Sequence, residues 1–484
     1  MSEHCGYVVK LNELHPHSNA DRLQITTIFG ASVIVDLSAK IGDIGVYFPI
    51  DLQLSEEYCK ENNLVRKLDE EGKNIGGYLD PDKRNIRALK LRGEKSEGLF
   101  MPLESLTYTG VTKYEVGEKI EMLNGHEICR KYIPRGNKSK SHGIKTSRTR
   151  KHHAPIAPLF AEHIDTEQLA YNLDAFKPGD QIEITLKMHG TSGRTGYLPV
   201  FKGYTSRFKL YRYLLTKDRD KLGKMAQKLY DQAMNHATPI YDWGYVTGTR
   251  RVVLNNFDGG FYGDNSFREP HAKFFEGKLH KGETVYYEIV GFTTDGNPIM
   301  PSVKNSKISD KEFSKMYGDT TVFSYGCSSN GKKLESTSDG EGHFSLETVE
   351  VPKSDFYVYR MTMTNEDGDV VEYTPDFMRY RCEQMGAKCV LEFTQFILHN
   401  YDLEMDTRSA GEIVKDIAEK YYDGPDPVGV SHVREGVVIR IVNRPKFTAF
   451  KHKNFSFKVL EGIAKDIADA PDMEEAQEET ENEV

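Results

Sequence analysis

The sequence predicts a multidomain protein: an all-β, OB-like barrel at the N-terminus, followed by an α+β domain built on antiparallel sheets. Three observations predict it. The 484 residues exceed what one hydrophobic core organises, at about 150 residues per domain. As far as residue 125, short β-prone runs recur between Gly-rich turns. From residue 159 to residue 460, β-prone runs alternate with longer polar helical stretches.

The N-terminal elements come in order as Tyr7–Leu11, Leu23–Ile28, Ser32–Val35 and Gly45–Pro49, then, after a charged segment, Ile86–Arg92 and Gly98–Met101. About five such strands with glycine turns fit a small, partly open barrel. Within 86–92, Arg87 alternates with Ala88 and Lys90 with Leu91, so one face is expected to be basic and suited to single strands. Residues 126–158 read as a basic linker. The second domain is expected to start near Leu159, with Asp165–Leu169 carrying the acidic character of a helix start. Gln181–Leu186 alternates as a half-buried strand, Tyr211–Tyr241 reads as helix, and 305–350 reads as an inserted loop or hairpin. Residues 461–484 read as an acidic, disordered tail.

Composition bounds the function. With 38% hydrophobic and 28% charged residues, the chain resembles a soluble globular protein. No stretch approaches the roughly 18 apolar residues that span a bilayer, and Met1–Cys5 lacks the basic and apolar regions of a signal peptide. The six cysteines show no C-x-x-C spacing. Reduced thiols in a cytoplasmic protein are the expectation, rather than a disulfide framework or a zinc site. The net charge is −9, and Ala470–Val484 alone carries seven carboxylates and no Lys or Arg. Arg130–Lys151 carries nine Lys or Arg and no acid, which suits phosphate neutralisation. His142, His152, His153 and His163 lack acids or cysteines at ligand spacing and read as linker histidines rather than a metal site.

The chemistry concentrates further on. Lys187-Met188-His189-Gly190-Thr191-Ser192 delivers an amine at the end of a strand to a glycine turn. Downstream stand Thr205-Ser206-Arg207, then Val285–Gly291 with Glu288 on an apolar run, then Phe356–Met361 with Tyr359. Glu435 opens another strand, and Phe447–Lys453 places Lys451 and Lys453 on one face. Together these are the parts that hold and attack a nucleoside triphosphate. An aromatic stacks on the base, carboxylates meet ribose and metal, and lysines balance phosphate.

In this order the series resembles the motifs of the covalent nucleotidyltransferases, the ATP-dependent polynucleotide ligases and mRNA capping enzymes. Within them it looks like the nick-sealing RNA ligases of the RNA ligase 2 type, which carry His where DNA ligases carry Asp, as His189 does here. Asp355–Tyr359, Glu366–Val370 and Phe450–Ser456 extend the fit. The N-terminal unit is similar to an OB domain fused ahead of such a catalytic domain, through Pro16–Leu23 and Leu91–Leu99. One departure is that Tyr359 is followed by Arg360 where the family often has Phe followed by Asp.

The resemblance implies an ATP-dependent RNA ligase joining 3′-OH and 5′-phosphate ends through a lysine-linked AMP. Lys187 would be the nucleophile, with Lys451, Lys453 and His189 catalytic. Glu288, Tyr359, Gly190 and Arg207 would bind the cofactor or the RNA end, and Glu435 a metal. ATP and Mg²⁺ or Mn²⁺ are the implied cofactors, RNA the partner, no membrane is involved, and a monomer is expected. The alternatives are a DNA ligase, a capping-type enzyme and a non-catalytic RNA-binding protein. A further expectation is that Lys451 and Lys453, as like charges, help to free the Lys187 amine of its proton.

Overall fold

A computed structural model describes residues 4–68, 74–132, 154–254, 265–308, 310–338, 344–399 and 408–466. Most of the basic segment, with His142, His152 and His153, and the acidic tail beyond residue 466 lie outside the described residues; the first six residues expected in the tail, 461–466, are helical instead. The fold is a mixed one of antiparallel sheets with short helices.

In the N-terminal unit, a four-stranded sheet runs in the order Leu99–Pro102, Ile44–Phe48, Gly6–Lys10, Lys119–Ile120. A second, three-stranded sheet joins His15–Pro16, Leu23–Ile28 and Ala31–Asp36. The alternation along Gly6–Lys10 explains why this strand is buried on both faces. Val8 enters a core with Val46, Phe48, Leu52 and Tyr58, whereas Tyr7 and Val9 enter another with Ile28, Val33 and Tyr47. Ser32 Oγ donates to Lys95 O at 2.9 Å, and Ile34 N donates to Ser96 Oγ at 3.2 Å, tying the second of these sheets to the strand Glu94–Glu97, which belongs to neither of the two sheets. Among the described residues they do not close into a barrel. The hairpin Ala88–Leu91/Glu94–Glu97 turns on Arg92 and Gly93, both with positive φ (48° and 98°), as a two-residue hairpin loop requires. His17 Nε2 lies 3.1 Å from Leu91 O, and Asn19 Nδ2 donates to Arg92 O at 3.1 Å, so the two distant segments singled out in the sequence meet.

The basic face expected on this hairpin is not free. Lys90 pairs with Asp310 at 2.5 Å, Lys95 lies over the Phe455 ring at 5.1 Å, and Glu97 pairs with Lys458 at 2.5 Å. The hairpin is fastened to the helix Phe455–Asp466, which runs through residue 460, where the sequence placed a boundary.

The remainder is organised by two sheets. One has the order Glu167–Gln168, Ala449–Lys453, Gly436–Ile441, Gln181–Lys187, Glu392–Ile397. The other has the order Val253–Leu254, Thr238–Gly248, Thr191–Thr205, Glu283–Gly291, Ser354–Thr364, Val370–Glu372. The chain passes directly from the first sheet to the second through Met188-His189-Gly190.

Three expectations need correction. Tyr211–Tyr241 is not one helix. Helices Lys209–Leu214 and Lys224–Met234 give way to the strand Thr238–Gly248, whose β-prone Ile240, Tyr241, Trp243 and Tyr245 pair along Thr191–Thr205. Asp165–Leu169 does not start an α-helix, because Glu167–Gln168 bridges in parallel to Phe450–Lys451. The 305–350 insertion contains a helix, Lys311–Tyr317, as well as the hairpin Lys332–Ser338/Phe344–Glu350.

Candidate nucleotide-type cleft around Lys187

Period-two geometry builds the floor of the site. Along Gln181–Lys187, residues Glu183, Thr185 and Lys187 face one way. The register sets them opposite Arg440, Val438 and Gly436 of the neighbouring strand. All but Gly436 line a cleft with about 850 Å³ of space, mouth included, together with His163, Arg250, Glu288, Tyr359, Arg379 and Phe447.

At the end of this floor sits a charged cluster. Gly436 is opposite Lys187 on one side and Lys453 on the other. Its φ of 150° and the 2.1 Å between a hypothetical Cβ and His452 O admit only glycine. The preceding residue, Glu435, is 1% exposed. Its carboxylate stands 2.9 Å from Lys187 Nζ, 3.3 Å from Lys453 Nζ and 3.6 Å from His189 Nδ1. Burial works to push this carboxyl up, but the charges of Lys187 and Lys453 and the pull of His189 outweigh it and hold it at about 2. Lys453 also pairs with Glu461, one turn into the next helix, at 2.8 Å.

The turn after the lysine is held from several sides. The His189 amide donates to Tyr325 Oη at 2.7 Å. The His189 ring meets Phe323 and Phe457 edge-on, with centroids 4.6 and 4.8 Å apart. A Cβ on Gly190 would lie 2.3 Å from Ile289 O, so the close passage of the two sheets requires glycine. Arg268 donates to Ser192 O at 2.8 Å and to Thr191 Oγ1 at 2.7 Å, fixing the first residues of the next strand.

On the facing sheet Glu288 pairs in register with Ser192 and Tyr357. Pairing then shifts: Tyr286 is opposite Arg360 and Tyr287 opposite Val358, which leaves Tyr359 as the extra residue of a β-bulge. A bulge re-aims side chains locally, and here Tyr359 lines the cleft while Arg360 is buried. Arg360 binds Glu372 through two contacts, one of them Nε to Oε2 at 3.0 Å. It lies over the rings of Tyr286 and Phe447 at 4.4 and 4.8 Å. The Arg360 that departs from the family pattern therefore serves the packing beneath the cleft.

The structure thus brings together Lys187, Glu435, Lys453 and His189, and of these Lys187 lines the cleft with Glu288 and Tyr359. It places Lys451 on the same strand face as Lys453, opposite Val438, and neither lysine is among the cleft-lining residues. Arg207 is exposed outside the cleft, its guanidinium 4.9 Å from the Phe208 ring.

Two sequence readings are corrected here. His163 is no linker histidine: its ring packs edge-on to Tyr359 at 5.1 Å, and burial followed by the charge of Arg250 keeps its pKa well below the usual histidine range. The nearest charge to Lys187 among the named residues is a carboxylate, not a like-charged lysine.

Sequence reasoning missed Glu183, Arg440, Arg379, Phe447 and Tyr325. The signal for Glu183 was its spacing of four from Lys187 on an alternating strand. Tyr325 lies in the 305–350 insertion and had none. Among the described residues no group of three or more His, Cys, Asp or Glu is arranged to hold a metal ion, although Glu435 Oε2 is buried without a hydrogen-bond donor. No described helix is long and apolar enough to cross a membrane.

No family model matches the sequence, and no curated protein matches it. Solved structures do. An apo point variant of Naegleria gruberi RNA ligase matches with 16% identity and a TM-score of 0.50, covering 94% of this chain and 97% of that one. Structures of the same ligase with ATP and Mn (a point variant) and with pyrophosphate match at 15% identity and TM-scores of 0.49, each over 94% of this chain and 97% and 98% of theirs. The likeness to the apo variant is one of fold across nearly the whole length of both chains.

Proposed function

We propose that this protein is an ATP-dependent RNA ligase that joins an RNA 3′-hydroxyl to a 5′-phosphate, as in the sealing of nicks during RNA repair. The observation that supports it most is the convergence, at the end of the cleft floor, of the cleft-lining Lys187 amine, a buried carboxylate and a second amine. Lys187 and Lys453 lie on the two strands that flank the strand Glu435 precedes, and Lys187 shares the cleft with Glu288 and Tyr359 of the other sheet.

In the first step the Lys187 amine attacks the α-phosphorus of ATP. A P–N bond forms, the bond to the β-phosphate oxygen breaks, pyrophosphate leaves and the amine proton passes to solvent. The AMP then moves to an RNA 5′-phosphate, and an RNA 3′-hydroxyl displaces it. Attack needs a neutral amine, and a lysine at its reference pKa near 10.4 is only about 0.04% neutral at pH 7. The Glu435 pair must therefore open before attack, which makes that carboxylate a gate on the nucleophile. Lys453, with Lys451 beside it, offsets charge on the transferring phosphate. Tyr359 stacks on the base, Glu288 meets the ribose hydroxyls, and His189, wedged between two rings, fixes the turn that carries Lys187. Glu435, whose Oε2 is buried without a hydrogen-bond partner, would hold a Mg²⁺ or Mn²⁺ ion, which would supply positive charge to the phosphates.

The N-terminal unit keeps its reading as an OB-like, RNA-contacting domain, by surfaces other than the hairpin fastened to the helix. The protein is read as a cytoplasmic monomer. Incubation with α-labelled ATP and magnesium, then denaturation, should leave label on the wild type and none on Lys187→Ala. A folded, AMP-free wild type that takes up no label refutes the enzyme. RNA, DNA and mixed nicks, with ATP against GTP, separate the ligase from its relatives.

A further inference from the structure

At the far end of the long hairpin Thr191–Thr205/Thr238–Gly248, the chain leaves the sheet for two helices, Lys209–Leu214 and Lys224–Met234. Between Arg207 and Asp231 stand eight Lys or Arg against three Asp. The three aspartates are committed within the cap: Asp231 to Arg219 at 2.7 Å, Asp220 to Arg219 at 3.5 Å, and Asp218 to Lys221 at 3.1 Å. The remaining positive charge faces solvent, with Lys209, Arg212, Lys217, Lys224 and Lys228 all exposed.

A basic run is commonly just a solvated face, but this one also exposes apolar groups that a solvated face would not. On Lys224–Met234 the inner positions Ala233 and Met234 are covered, whereas the outer face carries Lys224, Met225, Lys228 and Leu229. Met225 is 82% exposed, and on the other helix Tyr213 is 60% and Leu210 57% exposed. The rings are also preset beside cations: Lys217 Nζ lies 4.5 Å from the Tyr213 ring and the Arg207 guanidinium 4.9 Å from Phe208. Cations for phosphates interleaved with exposed apolar groups for the sugar edges is the chemistry of a nucleic-acid surface. An acidic or apolar protein partner would leave that interleaving without a purpose.

We propose that this two-helix cap is an RNA anchor that binds the arm of the substrate remote from the ends being joined. The proposal rests on the ligase reading for the identity of the nucleic acid. The distance follows from the strand. Thr191 begins three residues after Met188, and fifteen residues carry the chain from there to Thr205. At about 3.3 Å per residue the strand spans at most about 46 Å from Thr191, which stands four residues past the reacting lysine. A duplex arm of about one and a half helical turns spans it.

The test uses the full-length chain and a variant carrying Lys209→Ala, Lys217→Ala, Lys224→Ala and Lys228→Ala, all at exposed positions outside the cleft. Binding of fluorescein-labelled nicked RNA duplexes, with arms of roughly 20 or roughly 6 base pairs, is followed by anisotropy across a salt series. On the long arms the variant should bind tenfold or more weakly. Its slope of log affinity against log salt should be shallower by about 3.6, the counterions of some four lost phosphate contacts. On the short arms it should bind like the wild type, and its lysine-linked AMP should form at the wild-type rate. Unchanged binding and slope on long arms, or an equal loss on both lengths, overturns the anchor. Absence of the AMP adduct from the wild type, with the arm-dependent loss intact, overturns the ligase reading and leaves the anchor standing.

Discussion

Replacing Glu435 by Gln keeps the shape of the side chain and removes its charge from between two ammonium groups. With an effective dielectric constant of 20, each pair at the observed 2.9 and 3.3 Å contributes about 5 to 6 kcal/mol of attraction. Desolvating a carboxylate costs several kcal/mol, so the attraction wins. The net is the fall of the carboxyl from 4.5 to about 2, worth about 3 kcal/mol at 1.36 kcal/mol per unit. A carboxyl lowered in the folded state contributes stability that is complete above its unfolded value of 4.5 and is lost as pH falls through about 2. Urea unfolding of wild type and Glu435→Gln should therefore differ by about 3 kcal/mol at pH 7, with about 2 kcal/mol of that difference gone by pH 3. Losing the carboxylate that would hold the divalent metal should also abolish a measurable lysine-linked AMP. A difference at pH 7 below about 1 kcal/mol, or one that does not change with pH, would refute the electrostatic account of this cluster.

Other positions give independent checks. Gly190→Ala drives a Cβ to within 2.3 Å of Ile289 O, so the two sheets must part locally. A loss of about 1–3 kcal/mol in urea unfolding and at least a tenfold slower adduct are expected. Tyr359→Phe should leave the KM for ATP near that of the wild type, whereas Tyr359→Ala should raise it about tenfold, the worth of about 1–1.5 kcal/mol of stacking; equal effects of the two would argue against a stacked ring. Glu183 is pushed up to about 7 by burial, against the pull of Arg379 and Arg440. Because its folded value lies above 4.5, its contribution is fully present below 4.5 and is lost as pH rises through about 7. Glu183→Gln, uncharged throughout, should flatten the fall in stability between pH 5 and pH 8 by up to about 3 kcal/mol, as read from urea midpoints at the two pH values.

The strands that carry the site were legible because alternation and β-branched residues mark a strand whatever its neighbours. Gln181–Lys187, Glu283–Gly291, Ser354–Thr364 and Ala449–Lys453 lie where the pattern placed them. What alternation cannot give is which side chain across the sheet faces which. That is why Glu435, read as a metal ligand, was not foreseen as the partner of Lys187, and why Arg207 was expected near the nucleotide yet lies outside the cleft. The bulge at Tyr359 is invisible for the same reason, since an extra residue in one strand exists only relative to its partner. His163 misled because its surroundings in sequence are a linker, while its surroundings in space, Tyr286, Tyr359 and Phe447, come from elements far along the chain.

The fastening of the hairpin Ala88–Leu91/Glu94–Glu97 bears on how the protein can be taken apart. Glu97 holds Lys458, and Glu461, on the next turn of the same helix, holds Lys453, whose amine reaches Glu435 beside Lys187. Excising the first 125 residues would strip Glu97 from Lys458 and Lys95 from the Phe455 ring, baring the side of the very helix that steadies Lys453. The N-terminal unit is thus no severable accessory: the smallest fragment that keeps the cleft intact extends from the first β-strand to the last helix.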